Sequence, residues 1–121
     1  MRVLVCGGRT FNDSNLAFET LDEICKDARA TVIIHGGALG ADELAKEWAI
    51  VNWASWISFP ADWEAHGRAA GPIRNQAMLD EGKPDLVIAF PGGRGTADMV
   101  RRARGAGVKV IEVEKKGARY D

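Results

Sequence analysis

The stretch Phe90-Pro91-Gly92-Gly93-Arg94-Gly95-Thr96-Ala97-Asp98 decides how this chain folds. Before it stands an apolar run, Leu86–Ala89, that is typical of a buried strand. After it, residues recur at helical spacing, namely Thr96, Met99, Val100 and Ala103. Glycine lets the backbone turn tightly and a ligand come close, and a helix start offers free N–H groups and partial positive charge. The stretch therefore predicts a strand–glycine loop–helix unit that suits an anion such as phosphate.

Two further glycine loops occur earlier in the chain. His35-Gly36-Gly37-Ala38-Leu39-Gly40 lies between the apolar run Thr31–Ile34 and a segment with a clear helical stripe. Gly7-Gly8-Arg9-Thr10 follows the first apolar run. Repeated strand–glycine loop–helix units in one small chain favour a site for a phosphorylated ligand.

The composition limits the class of protein. With 121 residues, of which 46% are hydrophobic and 27% charged, the chain predicts one globular domain with a real core. Its formal net charge of −1 gives no general attraction to nucleic acid or to acidic membranes. No apolar run approaches the ~18–20 residues of a membrane span, and the first apolar run is too short for a signal peptide. We therefore expect a cytoplasmic protein.

The cysteines and histidines predict no metal chemistry. Cys6 and Cys25 fit none of the usual metal or redox spacings, so we expect reduced, buried thiols. His35 and His66 stand apart and have no carboxylates at metal-binding spacing. We expect neither a metal nor a required cofactor.

Strand and helix patterns alternate along the chain. Strands are predicted at Arg2–Cys6, Thr31–Ile34, Ser55–Ser58, Asp85–Ala89 and Lys109–Val113. Helices are predicted after Ser14, from Gly40, from Arg68 or Pro72 to Leu79, and over Thr96–Ala106, with Phe59–Gly71 as a long loop. Such alternation predicts the α/β class: a single Rossmann-like, doubly wound parallel sheet of about five strands with helices on both faces. Residues 1–114 form this domain, and residues 115–121 form a charged C-terminal tail.

Four motifs in this chain resemble one known superfamily. They are VLVCGGRTFND (residues 3–13), VIIHGGALGADELAKEWA (32–49), FPADWEAHGRAAGPIRNQAM (59–78) and AFPGGRGTADMVRRARGAGVKV (89–110). Together they resemble the SLOG superfamily, most closely its YspA-related branch of the DUF2493 type. The resemblance implies a Rossmann-like fold and a nucleotide or nucleotide-derived ligand. Relatives include LOG-type phosphoribohydrolases, molybdenum cofactor carrier proteins, the DNA-processing protein DprA, and sensor domains of antiviral systems.

The resemblance to the LOG enzymes extends to single residues. Pro91–Thr96 matches their signature PGGxGT, which continues in LOG enzymes with two residues and a glutamate. Met99 stands at the glutamate position, and Asp98 beside it points about 100° away on an ideal helix. Arg74 resembles the LOG arginine that sits by the ribose and phosphate. LOG relatives form dimers, so the resemblance also implies a homodimer.

These patterns define a set of candidate site residues. Doubly wound sheets bind ligands at the carboxyl ends of their strands, where the strand order reverses. The predicted ligand-binding residues follow this rule and the LOG resemblance: Gly7, Gly8, Arg9, His35, Gly36, Gly37, Gly40, Arg74, Asn75, Pro91, Gly92, Gly93, Arg94, Gly95 and Thr96. Asp98 and Asp42 are the candidate catalytic acids. Both also fall in the first turn of a predicted helix, where an acid stabilises the helix dipole without any catalytic role.

The aromatic residues and the last helix have interpretations of their own. Trp48 belongs to a helical stripe, so we expect it in the core. We expect Trp53 and Trp56 to lie in the core or at an interface. Trp63 and Phe59 are candidates for stacking on a base. A basic face of the last predicted helix, which we interpret as solvated, comprises Arg101, Arg102 and Arg104.

Three functions fit the sequence. In the first, the chain binds a nucleotide-type ligand as a sensor or carrier and breaks no bond, which the missing acid at residue 99 favours. In the second, it is an N-glycosidase that releases the base of a nucleoside monophosphate, with a carboxylate stabilising the oxocarbenium-like state. In the third, it is a DNA-associated protein of DprA type, which the neutral charge balance disfavours. We expect a small-molecule partner and no membrane partner.

Overall fold

Strands and helices alternate through residues 1–114, which are the residues that the computed structural model describes. The predicted tail, residues 115–121, lies outside the described residues. The strands are β1 (Arg2–Cys6), β2 (Val32–His35), β3 (Ser55–Ser58), β4 (Leu86–Ala89) and β5 (Lys109–Glu112). The helices are α1 (Ser14–Ile24), α2 (Ala41–Asn52), α3 (Trp63–His66), α4 (Ala70–Asp80) and α5 (Arg94–Gly105), with short 3-10 turns at Ala28–Ala30 and Gly67–Ala69.

The five strands form one parallel sheet in the order β3-β2-β1-β4-β5. The central strand is β1, whose Leu4 lies beside both Ile34 of β2 and Val87 of β4. The strand order reverses between β1 and β4, which is where doubly wound sheets open a crevice for ligands. The predicted fold class is thereby confirmed.

Both faces of the sheet are covered, which explains why the central strands are almost wholly apolar. Val3 and Val5 face α1 and α2 and form a core layer with Trp48, whose side chain is 1% exposed. Leu4 and Val87 face the other way and pack with residues of α4 and α5. The predicted core position of Trp48 is confirmed, and its indole Nε1 donates to Asp22 Oδ1 at 2.8 Å.

The segment predicted as a loop, Phe59–Gly71, contains regular structure, so that prediction is wrong. The carboxylate of Asp62 accepts a hydrogen bond from the backbone N of Ala65 at 3.0 Å and caps the four-residue helix α3. A 3-10 turn follows, and α4 begins at Ala70. Neither α3 nor the turn buries any residue. Neither therefore has the apolar stripe by which a helix is predicted from sequence.

Two smaller predictions also need correction. The last helix begins at Arg94, two residues before the predicted start at Thr96, because Gly93 is already its N-cap. Of the two positions predicted for Trp53 and Trp56, the core is wrong, since Trp53 is 80% exposed at the end of α2 and Trp56 lies on the edge strand β3. An interface position stays a prediction. No helix within residues 1–114 is long and apolar enough to cross a bilayer.

Candidate functional site

A large open cleft of about 1160 Å³ lies at the point where the strand order reverses. Its walls are the loop after β1, the loop after β4 with the first turns of α5, and the segment from Trp63 to Asn75. The side chains of Cys6 and Met78 line it near the sheet, and the second glycine loop contributes Ala38. Burial raises the pKa of Cys6 to about 12, with a further rise from the charge of Asp42, so this thiol is protonated at neutral pH.

The loops after β1 and β4 are held against each other by their backbones. The backbone N of Gly8 donates to the carbonyl of Pro91 at 2.9 Å. A Cβ on Gly92 would lie 2.6 Å from the nitrogen of Gly8, which only glycine avoids. This contact fixes the start of α5 beside the end of β1 and so shapes the cleft.

The start of α5 is open toward the cleft. Within the described chain no side chain caps this 12-residue helix, so its first N–H groups and their partial positive charge remain available. A Cβ added to Gly93 or to Gly95 would meet no atom within 4 Å. Neither glycine has a positive φ. Packing therefore does not explain these two glycines, whereas close approach of a ligand would.

The second glycine loop, residues 35–40, is closed. The carboxylate of Asp42 accepts hydrogen bonds from the backbone N of Gly36 at 2.9 Å and of Ala38 at 3.3 Å. Gly40 has a φ of +79°, and a Cβ there would lie 2.1 Å from the carbonyl oxygen of Gly8. This loop thus packs behind the cleft, and four predicted ligand-binding residues are absent from the cleft lining: His35, Gly36, Gly37 and Gly40.

His35 stabilises the closed loop through a hydrogen bond. Its Nδ1 accepts a hydrogen bond from the backbone N of Gly37 at 3.0 Å, which leaves the proton of the neutral ring on Nε2. The residue is 3% exposed, and Nε2 has no hydrogen-bond partner among the described residues. Burial, with a smaller contribution from the charge of Lys46, holds the pKa of His35 below its usual value.

The cleft is strongly cationic although the whole chain carries a formal charge of −1. Two aspartates, Asp42 and Asp98, line it beside five arginines: Arg9, Arg68, Arg74, Arg94 and Arg101. Four of these arginines form no ion pair with any carboxylate of residues 1–114: Arg9, Arg68, Arg74 and Arg94. Such guanidinium groups suit phosphate, which they bind with two parallel hydrogen bonds.

Arg74 has a different environment from the exposed arginines. Its Nη1 donates to the carbonyl of Gly36 at 2.6 Å, and its Nε donates to the side chain of Asn75 at 3.1 Å. The guanidinium therefore joins α4 to the closed loop while it also lines the cleft. Burial raises the pKa of Asp42, against the hydrogen bonds from Ala38 and Gly36 and the charge of Arg74, which all lower it.

The chain is similar to known proteins in sequence and in fold. Residues 1–66 match the model of the YspA, cpYpsA-related SLOG family. The chain belongs to this family. It is also 40% identical over 118 residues to the Gene 61 protein of Mycobacterium phage D29, in an alignment that covers 91% of this chain and 94% of the phage protein. The crystal structure of TM1055, a structural genomics target, superposes with a TM-score of 0.72 at 20% identity, covering 92% of this chain and 73% of that chain.

In this SLOG-family protein Asp98 and Met99, which follow the LOG signature, face different ways. Met99, at the position of the LOG glutamate, is completely buried in the core. Asp98 lines the cleft and accepts hydrogen bonds from Asn75 Nδ2 at 3.0 Å, Arg101 Nη2 at 2.5 Å and Arg102 Nε at 2.8 Å. Burial raises the pKa of Asp98, but these hydrogen bonds lower it by more. The pKa of Asp98 therefore lies below its usual value.

Most of the predicted ligand-binding residues come together in the cleft of this SLOG-family protein. Eleven of the fifteen line it: Gly7, Gly8, Arg9, Arg74, Asn75, Pro91, Gly92, Gly93, Arg94, Gly95 and Thr96. Arg68 was missed, because only the fold of α3 and its 3-10 turn brings that residue to the cleft. Residues 1–114 hold no group of three or more His, Cys, Asp or Glu side chains that could bind a metal ion.

Proposed function

We propose that this protein binds a nucleotide or a nucleotide-derived phosphorylated ligand in the cleft, as a sensor or carrier. The observation that carries the proposal is the convergence of five arginines beside an uncapped helix start, in a chain whose net charge is −1. That charge is concentrated where the strand order reverses, which is the usual ligand crevice of this fold. Membership of the SLOG family supports the nucleotide character of the ligand.

The phosphate of the ligand is assigned to the first turn of α5. There the backbone N–H groups lack a capping side chain, and Gly93 and Gly95 leave open space in front of them. Arg94 lines the cleft at the same turn and forms no ion pair within residues 1–114. A phosphate would gain both the helix dipole and a charge-assisted hydrogen bond at this place.

Binding without hydrolysis is the favoured function, because no carboxylate of the cleft is free to act. Asp98 is charged and engaged by three donors, and Asp42 holds the closed loop. Met99 replaces the glutamate of the LOG signature and lies in the core. A general acid or base needs an accessible carboxylate at the reacting atoms.

An N-glycosidase is the second candidate function, since both Asp98 and Asp42 line the cleft. In that case one of these carboxylates would stabilise the positive charge that develops on the ribose as the bond to the base breaks. Release of free base, abolished by Asp98→Asn or Asp42→Asn, would establish this function.

The decisive experiment is a thermal-shift screen of the wild-type protein with nucleoside monophosphates, ADP-ribose, NAD and cyclic nucleotides, followed by chromatography for free base. Gly95→Ala tests the assigned phosphate position, and Gly105→Ala at the other end of α5 is its control, since both glycines face open space. Each substitution should stabilise the unliganded helix by up to about 1 kcal/mol. Only Gly95→Ala should reduce the ligand-induced shift.

The outcomes separate the candidate functions. A stabilising ligand that stays intact supports a sensor or carrier, whereas a consumed ligand supports the glycosidase. Equal ligand-induced shifts for Gly95→Ala and the wild type would contradict the assignment of the phosphate to α5. Salt-dependent binding to an oligonucleotide, with no response to any small molecule, would favour a DNA-associated role.

A further inference from the structure

Trp63 is exposed to an extent that the stability of the fold does not explain. It is 49% exposed, and neither α3 nor the 3-10 turn after it buries any residue. A large aromatic side chain left half in water forgoes much of the free energy that burial would provide. Its position on the cleft wall is therefore better explained by what the cleft binds.

The local structure nevertheless fixes where Trp63 stands. The Asp62 carboxylate caps α3 through the backbone N of Ala65, so Trp63 is the first residue of a defined turn. On the side of α4, a Cβ on Gly71 would lie 3.5 Å from the ring atom Cη2, an ordinary van der Waals contact. The indole ring is thus positioned by the capped turn that carries it rather than by a hydrophobic core.

The guanidinium of Arg9 lies over this ring. Its Cζ is 5.7 Å from the ring centroid, within the range of a cation–π contact. Arg9 reaches the ring from the loop after β1, a different wall of the cleft, and forms no ion pair within residues 1–114. Two planar groups from different walls therefore face each other inside the cleft.

The spacing of these groups is close to that of a clamp for a flat ring. A planar base between them needs about 7 Å, twice a van der Waals contact distance, so a small outward movement of the exposed Arg9 side chain would admit one. Any of the nucleic-acid bases can stack on an indole ring or on a guanidinium plane. Phosphate and ribose alone would gain nothing from such a pair.

We infer that the ligand carries an aromatic base, and that Trp63 and Arg9 clamp this base between them. The inference deepens the proposed function and rests on it, because the phosphate stays at the start of α5. Trp63 is then the residue that distinguishes a nucleotide from a plain sugar phosphate. Arg9 supplies the second plane together with its charge.

The test compares ligands with and without a base by titration calorimetry. The probes are AMP, GMP, CMP, UMP and ribose 5-phosphate, and the proteins are the wild type, Trp63→Leu and Trp63→Phe. Trp53→Leu is the control, since Trp53 is exposed but does not line the cleft. Arg9→Lys keeps the positive charge and removes the planar group.

We expect at least one nucleoside monophosphate to bind the wild type ~10-fold or more tighter than ribose 5-phosphate, as one stacked base provides. Trp63→Leu should abolish that preference and leave the affinity for ribose 5-phosphate unchanged. Trp63→Phe should keep most of the preference for the nucleotide. Arg9→Lys should reduce this preference, and Trp53→Leu should not alter it. Quenching of tryptophan fluorescence by the bound nucleotide should be lost in Trp63→Phe.

Other results overturn the inference in distinguishable ways. If ribose 5-phosphate and the nucleotides bind equally well, or if Trp63→Leu keeps the preference, the base clamp is wrong and the phosphate site stands. If the wild type binds none of the five probes at millimolar concentration, and none of ADP-ribose, NAD and the cyclic nucleotides either, the proposed function fails together with the inference.

Discussion

The two long glycine loops of this protein look alike in sequence and differ in what their glycines do. Both follow a buried strand and start a helix of twelve residues. The loop before α5 is open, and a Cβ on Gly93 would meet nothing. The loop before α2 is closed, and a Cβ on Gly40 would strike the carbonyl of Gly8 at 2.1 Å. Glycine content alone therefore does not distinguish a ligand site from a packed turn.

The residue at the second position of each helix explains the difference. In α2 this residue is Asp42, whose carboxylate accepts the N–H groups of Gly36 and Ala38. In α5 it is Gly95, which has no side chain to offer. The closed loop thus holds an anion that belongs to the chain, whereas in the open loop we propose that an anion from solution takes that position. Four experiments test this comparison.

The largest expected effect is the contrast between Gly40→Ala and Gly93→Ala. Alanine at residue 40 would need a left-handed backbone and would overlap the Gly8 carbonyl, so we expect it to cost about 3 kcal/mol or more of stability. Alanine at residue 93 should change stability by about 0.5 kcal/mol or less. Urea denaturation measures both, and equal losses would show that the two loops are packed alike.

Asp42→Ala should come next, at about 2–3 kcal/mol, because it removes the acceptor of two backbone N–H groups in the closed loop. Glu43→Ala is the matched control, since Glu43 is the exposed acid beside it in the first turn. Inorganic phosphate should then stabilise Asp42→Ala more than Glu43→Ala, since the vacated N–H groups can bind it. If phosphate stabilises the two variants equally, Asp42 does not act as an internal anion.

Acid should weaken the closed loop through His35. Its pKa is lowered in the folded protein, so the folded state binds fewer protons than the unfolded chain. This contribution to stability is complete above pH of about 6.5 and is lost as the pH falls, at up to about 1.4 kcal/mol per pH unit. Melting curves between pH 7 and pH 5.5 should show this slope in the wild type and in His66→Asn. In His35→Asn the slope should be flatter.

Asp98 should give the smallest effect, because it lies one turn into α5 and not in the open loop. Its lowered pKa means that its stabilisation is present above pH of about 4 and is lost as the pH falls further. Asp98→Asn should therefore cost less than about 1 kcal/mol at pH 7 and should flatten the acid limb of the stability curve. A change in ligand affinity as large as that of Gly95→Ala would show instead that Asp98 contacts the ligand.

The same comparison shows which parts could be predicted from sequence. The parallel sheet and the bounds of β1 and β3 follow from short-range patterns and were predicted correctly. The closed state of the second loop was not predictable, because it depends on the burial of Asp42 and on the contact of Gly40 with Gly8, which is distant in sequence. Helix α3 was missed for a related reason, since a helix that buries nothing has no hydrophobic period.

Met99 separates this protein from the LOG signature at the position of the glutamate. Its side chain lies in the same core layer as Leu4 and Val87. A Met99→Glu replacement, which would restore the LOG signature, would place a carboxylate in that layer and not in the cleft, at a large cost in folding free energy. Turning residue 99 outward would require α5 to rotate by about 100° and every contact of the helix to change. An evolutionary or engineered route to the enzyme therefore runs through repacking of α5, not through a single substitution.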